Sequence, residues 1–106
     1  MKKKEMLKRA RKAAVRYMRD DDFKVIDEDF MGFIVSRDYR TLVFTKLVVN
    51  VGAFTEVSDD RSEFEQAMMM WLLCHDDIDI PIRYDEISLA VAGEEKAGLR
   101  YCRRCC

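Results

Sequence analysis

The sequence contains few of the residues that interrupt secondary structure, with one proline and four glycines in 106 residues. No segment is rich in glycine, serine or proline, so the composition offers no linker and predicts a single domain over residues 1–106. No apolar run is as long as a membrane span, and no apolar stretch of a secretion signal follows the basic N-terminus. We therefore expect a soluble, cytoplasmic protein with no membrane partner.

The sequence also lacks the usual signatures of phosphate-binding and nucleophilic sites. No glycine-rich loop is available to surround a phosphate. The one histidine, His75, follows Cys74 directly. Neighbouring residues of a helix point about 100° apart, which argues against a cysteine–histidine dyad. We interpret His75 as a residue at the edge of the core.

Cysteine is concentrated at one end of the chain. Three of the four cysteines, Cys102, Cys105 and Cys106, lie in the last five residues. Their spacing is typical of neither a disulfide framework nor a zinc site, since no second CxxC pair is present. We interpret them as reduced thiols, with a metal or redox role as the alternative.

Charge is unevenly placed although the formal net charge is only −1. Residues 1–16 carry eight lysines or arginines against one acid, whereas residues 51–96 are strongly acidic. Three interpretations of the basic segment are open: it binds nucleic acid, it faces the acidic half of the same protein, or it is solvated.

Hydrophobic periodicity predicts seven secondary-structure elements. They are a helix over 5–18, strands over 23–30, 31–38 and 41–50, a helix within 58–77, and strands over 82–93 and 97–104. The order α-β-β-β-α-β-β predicts an α/β protein, in which a mixed sheet of about five strands is flanked by helices. The long connection after the third strand predicts that the third and fourth strands are parallel.

The second helix is predicted to begin with a capping box formed by Ser62 and Glu65. Apolar residues then recur at helical spacing and predict one buried stripe that ends at His75. The stripe consists of Phe64, Ala67, Met68, Trp71 and Leu72. The three consecutive methionines in this helix are interpreted as packing residues.

Four stretches carry a family resemblance: AAVRYM on the first helix, TLVFTKLVV on the third strand, RSEFEQAMMMWLLCH on the second helix and PIRYDEISLAV on the fourth strand. In this order and spacing the chain resembles the YraN family of endonuclease-like proteins. The resemblance covers nearly the whole chain. It implies the restriction-endonuclease-like fold of the PD-(D/E)XK nucleases.

The resemblance also implies a metal site whose residues are replaced here. Family members that are expected to be active carry a Glu and a Lys as E-x-K on the third strand, an Asp on the second strand and a Glu on the first helix. Magnesium takes oxygen ligands, and phosphodiester hydrolysis uses the metal to polarise phosphate and activate water. The matching positions are Lys46, Val48, Phe33 or Val35, and Ala10.

These replacements predict a degenerate site with no catalytic residue, no bound metal and no other cofactor. Lys46 stands where an acidic metal ligand would stand, and its charge repels a divalent cation. We expect this lysine to extend toward solvent or to pair with a nearby acid, with Asp27, Asp29 and Asp38 as the candidates.

Three functions follow as hypotheses. The leading one is a catalytically inactive nuclease-like domain that acts by weak nucleic-acid or protein binding. The second is a protein–protein or homodimerisation module without a nucleic-acid role, which the near-neutral charge favours and which would use a sheet edge or the methionine-rich helix. The third is a magnesium-dependent endonuclease with relocated carboxylates, for which Glu28, Asp29 and Asp38 are the candidates.

The first helix is the expected nucleic-acid contact. Its cations Lys8, Arg9, Lys12 and Arg16 recur at helical spacing and share a face that points away from the apolar side of the helix. Such a face would bind the phosphate backbone without sequence preference and would lose affinity with salt.

Overall fold

A computed structural model of the chain describes residues 3–51, 61–75, 80–92 and 96–103. It contains two helices and five strands in the order predicted from the sequence, α-β-β-β-α-β-β. They are α1 (Lys3–Asp20), β1 (Lys24–Phe30), β2 (Phe33–Asp38), β3 (Thr41–Val51), α2 (Ser62–Cys74), β4 (Ile82–Ala92) and β5 (Lys96–Cys102). The strands form one mixed sheet in the spatial order β1-β2-β3-β4-β5, which confirms the predicted α/β class.

The first three strands form an antiparallel meander with tight turns. Met31 and Gly32 both have positive φ, 52° and 89°, as a type I′ turn requires between paired Phe30 and Phe33. β1 lies at the edge of the sheet, and its pairing with β2 is interrupted by register shifts. Such irregularities discourage the outer edge of a sheet from pairing with another chain.

The third and fourth strands are parallel, as predicted, with Leu42–Val51 in register with Ile82–Val91. Parallel neighbours need a crossover connection, and α2 lies within it. The position of β3 between β2 and β4 explains its density of β-branched and aromatic residues. Successive residues Val43 and Phe44 are both fully buried because they face opposite sides of the sheet.

Each face of the sheet is covered by one helix, and each helix has its own apolar cluster. The α1-side cluster is Ala10, Ala14, Val15, Met18, Phe23, Ile34, Val43, Ile87 and Leu89. The α2-side cluster is Phe33, Val35, Leu42, Phe44, Phe64, Ala67, Trp71 and Tyr84. The described elements therefore form a three-layer α/β/α arrangement, with one apolar cluster on each side of the sheet.

The C-terminus of α1 ends in a Schellman motif. The amide of Phe23 donates to the carbonyl of Met18 at 2.9 Å, and that of Asp22 donates to Arg19 at 3.2 Å. Asp22 has φ of 66°, the left-handed conformation that glycine usually supplies at this position. Phe23 and Met18 pack in the same cluster, so the acidic segment after the helix is anchored by an apolar contact.

The predicted capping box of α2 is wrong. Arg61 is the N-cap residue, no side chain caps the helix, and Ser62 is already helical. Its predicted apolar stripe is buried at Phe64, Ala67 and Trp71. His75 lies just beyond the helix, where its ring stacks on that of Trp71 at 3.8 Å and its Nδ1 lies 3.0 Å from the carbonyl oxygen of Trp71.

Some sequence predictions concern residues outside the described ranges. These are the turn before Lys96, part of the loop after α2, most of the acidic run before α2, and Cys105 and Cys106.

Cys74 is a free, exposed thiol. Cys102 is disulfide-bonded, so the interpretation of this residue as a reduced thiol is wrong. Among the residues that the structure describes, no helix combines the length and apolarity needed to cross a membrane.

Replacing Phe44 by Ala tests the α2-side cluster. Phe44 is fully buried and its ring lies against those of Phe33, Phe64 and Trp71 at centroid distances of 5.8–6.3 Å. We expect Phe44→Ala to lower the free energy of unfolding by about 3–5 kcal/mol, measured by urea denaturation. Leu73→Ala, at a residue 77% exposed on α2, is the control and should change stability by less than about 0.5 kcal/mol. Equal effects of the two variants would contradict the assigned core.

Candidate functional site

The positions that the family resemblance assigns to a metal site lie on both sides of the sheet. Phe33 pairs directly with Lys46, and paired residues on neighbouring strands project to the same face. Phe33 and Val35 belong to the α2-side cluster, so Lys46 and Val48 also lie on the α2 face. Ala10 packs on the opposite face in the α1-side cluster. The structure therefore brings together the strand positions but not the helix position.

The acid beside Lys46 is Glu86, which the sequence analysis did not name. Glu86 occupies the register position next to Lys46 on β4, and Lys46 acts electrostatically on its carboxylate. No ion pair within 4.0 Å joins the two side chains. Lys46 is half-buried.

The three acids proposed as partners of Lys46 make other contacts. Asp29 lies 3.9 Å from Arg11. Asp38 lies 3.1 Å from Arg83, and Asp27 accepts a hydrogen bond from the amide of Asp29 at 2.9 Å. The expectation that one of these acids pairs with Lys46 is therefore wrong, because each of them contacts another group instead.

The three carboxylates considered as ligands of a relocated metal site each pair with a different arginine. Glu28 pairs with Arg19 at 3.7 Å, Asp29 with Arg11, and Asp38 with Arg83. Within residues 3–51, 61–75, 80–92 and 96–103, no three His, Cys, Asp or Glu side chains are grouped so as to hold a metal ion.

Glu86 is the most unusual ionisable group of this region. Its side chain is only 3% exposed, and its Oε2 atom has no hydrogen-bond partner. Burial raises the pKa of Glu86 above its ordinary value, while the charges of Lys46 and Arg100 act in the opposite direction. A buried carboxylate oxygen without a partner is costly when ionised, so Glu86 holds its proton to higher pH than an exposed glutamate does.

The adjacent acid, Asp85, is fully buried but fully partnered. Arg83 binds it with two hydrogen bonds, from Nε to Oδ1 and from Nη2 to Oδ2, each 2.9 Å long. The hydroxyl of Tyr101 donates to its Oδ2. Burial, together with this bond and the charge of Asp85, raises the pKa of Tyr101. A bidentate arginine pair of this kind fixes geometry strongly.

The Asp85 network links side chains of β2, β4 and β5 at one end of the sheet. Arg83 also contacts Asp38 at the end of β2. Arg103 follows β5, lies 3.7 Å from Asp38, and places its guanidinium 5.6 Å from the ring centre of Phe23. Because each of these charges has a protein partner, we assign the Asp85 network to stability rather than to chemistry.

The predicted basic face of α1 is present. Lys8, Arg9, Lys12 and Arg16 are all exposed. None of the four forms an ion pair or hydrogen bond with another described residue. The other arginines of the helix differ, since Arg11 and Arg19 turn toward the sheet and pair with Asp29 and Glu28. The face therefore presents four unneutralised charges in a row.

Cys74 and His75 do not form a dyad in the structure. The imidazole of His75 is engaged with the ring and carbonyl of Trp71, and Cys74 is exposed.

No protein-family model matches this chain, and no curated protein matches it.

Replacing Glu86 by Gln tests the state of the buried carboxyl group. The folded-state pKa of Glu86 is raised, so the contribution of this group to stability is fully present below the unfolded-state pKa of about 4.3 and is lost as pH rises through the folded-state value. We expect Glu86→Gln to remove this decline, so that its stability gain over wild type is larger at neutral than at acid pH. Urea denaturation across that pH range measures the difference.

The exposed Glu65 provides the control for this prediction, since Glu65→Gln should follow the wild-type pH profile. If Glu86→Gln follows that profile as well, Glu86 ionises normally and the assignment is wrong.

Proposed function

We propose that this chain is a YraN-like domain with a restriction-endonuclease-like fold, that it has lost hydrolytic activity, and that it acts in the cytoplasm by weak binding to nucleic-acid backbones. The element order and the mixed sheet agree with the fold that the resemblance implies. The proposal rests chiefly on one observation, the row of exposed and unpaired cations along α1.

The basic face of α1 has the form that non-specific binding to a nucleic-acid backbone requires. Phosphates are recognised by charge alone, without base contacts, when lysine and arginine side chains are free to approach them. Arg11 and Arg19 are held by acids, whereas Lys8 and Lys12 remain available. The near-neutral total charge limits the affinity, because a strongly binding domain is usually basic overall.

Loss of hydrolysis is supported by the side chains on the α2 face of the sheet. Phe33 and Val35 are buried apolar residues, and Val48 is also apolar. They supply no oxygen ligand to a magnesium ion. The ammonium of Lys46 beside them opposes a divalent cation electrostatically.

We expect the purified protein to leave supercoiled, linear and branched DNA intact in the presence of magnesium or manganese. The assay is gel electrophoresis after prolonged incubation, with protein from every purification fraction. Cleavage that follows the protein through purification, and that is lost in Asp29→Asn or Asp38→Asn, would establish the relocated-carboxylate alternative. A fold control by circular dichroism separates that loss from unfolding.

Charge reversal on α1 tests the binding proposal. We expect labelled duplex DNA to bind with a dissociation constant on the order of 10⁻⁴ to 10⁻⁶ M at physiological salt. Lys8→Glu with Lys12→Glu should weaken binding and lower the slope of log affinity against log salt by about two, one for each lysine. Fluorescence anisotropy at several salt concentrations measures both quantities.

The matched control carries the same change in charge at another surface. Lys24 and Arg40 are exposed and unpaired with described residues, and lie on β1 and in the β2–β3 turn. Lys24→Glu with Arg40→Glu should reduce affinity less than the α1 variant does. Tight binding that hardly responds to salt, or an equal effect of both double variants, would contradict the role of α1.

A protein–protein module is the second candidate, because α2 exposes apolar side chains on its outer surface. Met69, Met70 and Leu73 are 57%, 46% and 77% exposed. If this candidate is correct, the chain binds no duplex and associates with a protein, including a second copy of itself, through α2.

A further inference from the structure

The turn between β2 and β3 has an unusual residue for its backbone conformation. The β1–β2 turn contains Gly32, which adopts its φ of 89° without strain. The β2–β3 turn, between the paired residues Asp38 and Thr41, contains no glycine and consists of Tyr39 and Arg40. Tyr39 has φ of 57°, in the left-handed region where a bulky aromatic residue is rare. The turn therefore carries a side chain that is unfavourable for its own backbone.

The ring of Tyr39 makes no packing contribution that would offset this strain. Tyr39 is 96% exposed and belongs to neither apolar cluster. Its ring contacts no other ring among the residues that the structure describes. Hairpin turns usually place glycine, asparagine or aspartate at a position with positive φ, and strained exceptions cluster at functional sites. The exposed ring thus indicates contact with a molecule outside the chain.

Two cations lie close to the exposed ring. Arg40 follows Tyr39 in the turn, and Lys24 begins the neighbouring strand β1, opposite the end of β2. Arg40 and Lys24 are exposed, and neither forms an ion pair or hydrogen bond with another described residue. The acid beside the ring, Asp38, pairs with Arg83 at 3.1 Å. The turn therefore presents an aromatic ring together with unneutralised positive charge.

This combination matches the chemistry of single-stranded nucleic acid. Unpaired bases stack on exposed aromatic rings, while lysine and arginine neutralise the phosphates that connect the bases. Single strands offer free base faces, because their bases can be splayed out of a stack. A docked protein is disfavoured, since protein contact sites are contiguous apolar patches and the residues on either side of Tyr39 are charged.

We propose that the β2–β3 turn is a binding site for single-stranded nucleic acid, in which Tyr39 stacks on an unpaired base and Arg40 and Lys24 contact the neighbouring phosphates. Every base has a flat aromatic face, so the site has little sequence preference. The site is separate from the basic face of α1. Val25 packs against the α1-side cluster, so Lys24 before it projects to the opposite side of the sheet.

Fluorescence anisotropy with one labelled oligonucleotide, as a single strand and as a duplex, tests the role of the ring. Tyr39→Gly should weaken single-strand binding by about tenfold, the loss expected for one stacked base, and should leave duplex binding unchanged. Met31→Gly is the matched control, since it removes an exposed apolar side chain at the positive φ of the other turn. Met31→Gly should change neither affinity.

The same titrations test the cations of the turn. Lys24→Glu with Arg40→Glu should weaken single-strand binding more than Lys8→Glu with Lys12→Glu does. The order for duplex DNA is the reverse, because the duplex is expected at α1. A single order for both forms of the oligonucleotide would show that the turn does not distinguish single strands, and would overturn the proposal.

A stability measurement separates binding from folding. Glycine adopts a positive φ without strain, so Tyr39→Gly should raise the midpoint of urea denaturation or leave it unchanged. A lowered midpoint would assign the ring to the fold and would overturn the proposal. Equal single-strand affinity of wild type and Tyr39→Gly would overturn it as well, and would leave the ring as a contact for a protein.

Discussion

The parallel pairing of β3 with β4 is the constraint on which the remaining structure depends. Because Leu42–Val51 and Ile82–Val91 are in register, the alternation of side chains is shared by both strands. One set of residues meets α1 and the other meets α2. The parallel connection also requires the crossover in which α2 lies, so the same pairing specifies the sheet and places the second helix.

This alternation also separates the two acids of β4 electrostatically. Asp85 projects toward the α1 face, where Arg83 and Tyr101 satisfy it, and Glu86 projects toward the α2 face beside Lys46. A one-residue change of register would exchange their environments. The fold therefore produces one acid that stabilises the end of the sheet and one that retains an unused oxygen, although the two are neighbours in sequence.

The sequence predicts the element order well because the order depends on local hydrophobic periodicity, as in the alternation around Phe44. The parallel pairing of β3 with β4 was predicted from the length of the connection between them. The capping box at Ser62 fails because Arg61 provides a helix start without a side-chain cap. The acid beside Lys46 was missed for another reason: Glu86 is distant in sequence, and only the strand register brings it near. Residues 83–86, with the sequence RYDE, do not by themselves indicate that Glu86 lies beside Lys46, since burial and cross-strand contacts are tertiary properties.

The proposed function combines the side chains at the positions that the resemblance assigns to metal ligands, which are Phe33 or Val35, Lys46 and Val48, with the exposed cations of α1. Its central claim is that nucleic acid is bound at α1 and is not processed at the sheet. Mapping of amide shifts by NMR during titration with duplex DNA tests this claim most directly. The account predicts that perturbations concentrate on the outer face of α1, at Lys8, Arg9, Lys12 and Arg16. Perturbations centred on residues 33–35 and 46–48, with α1 unaffected, would contradict it.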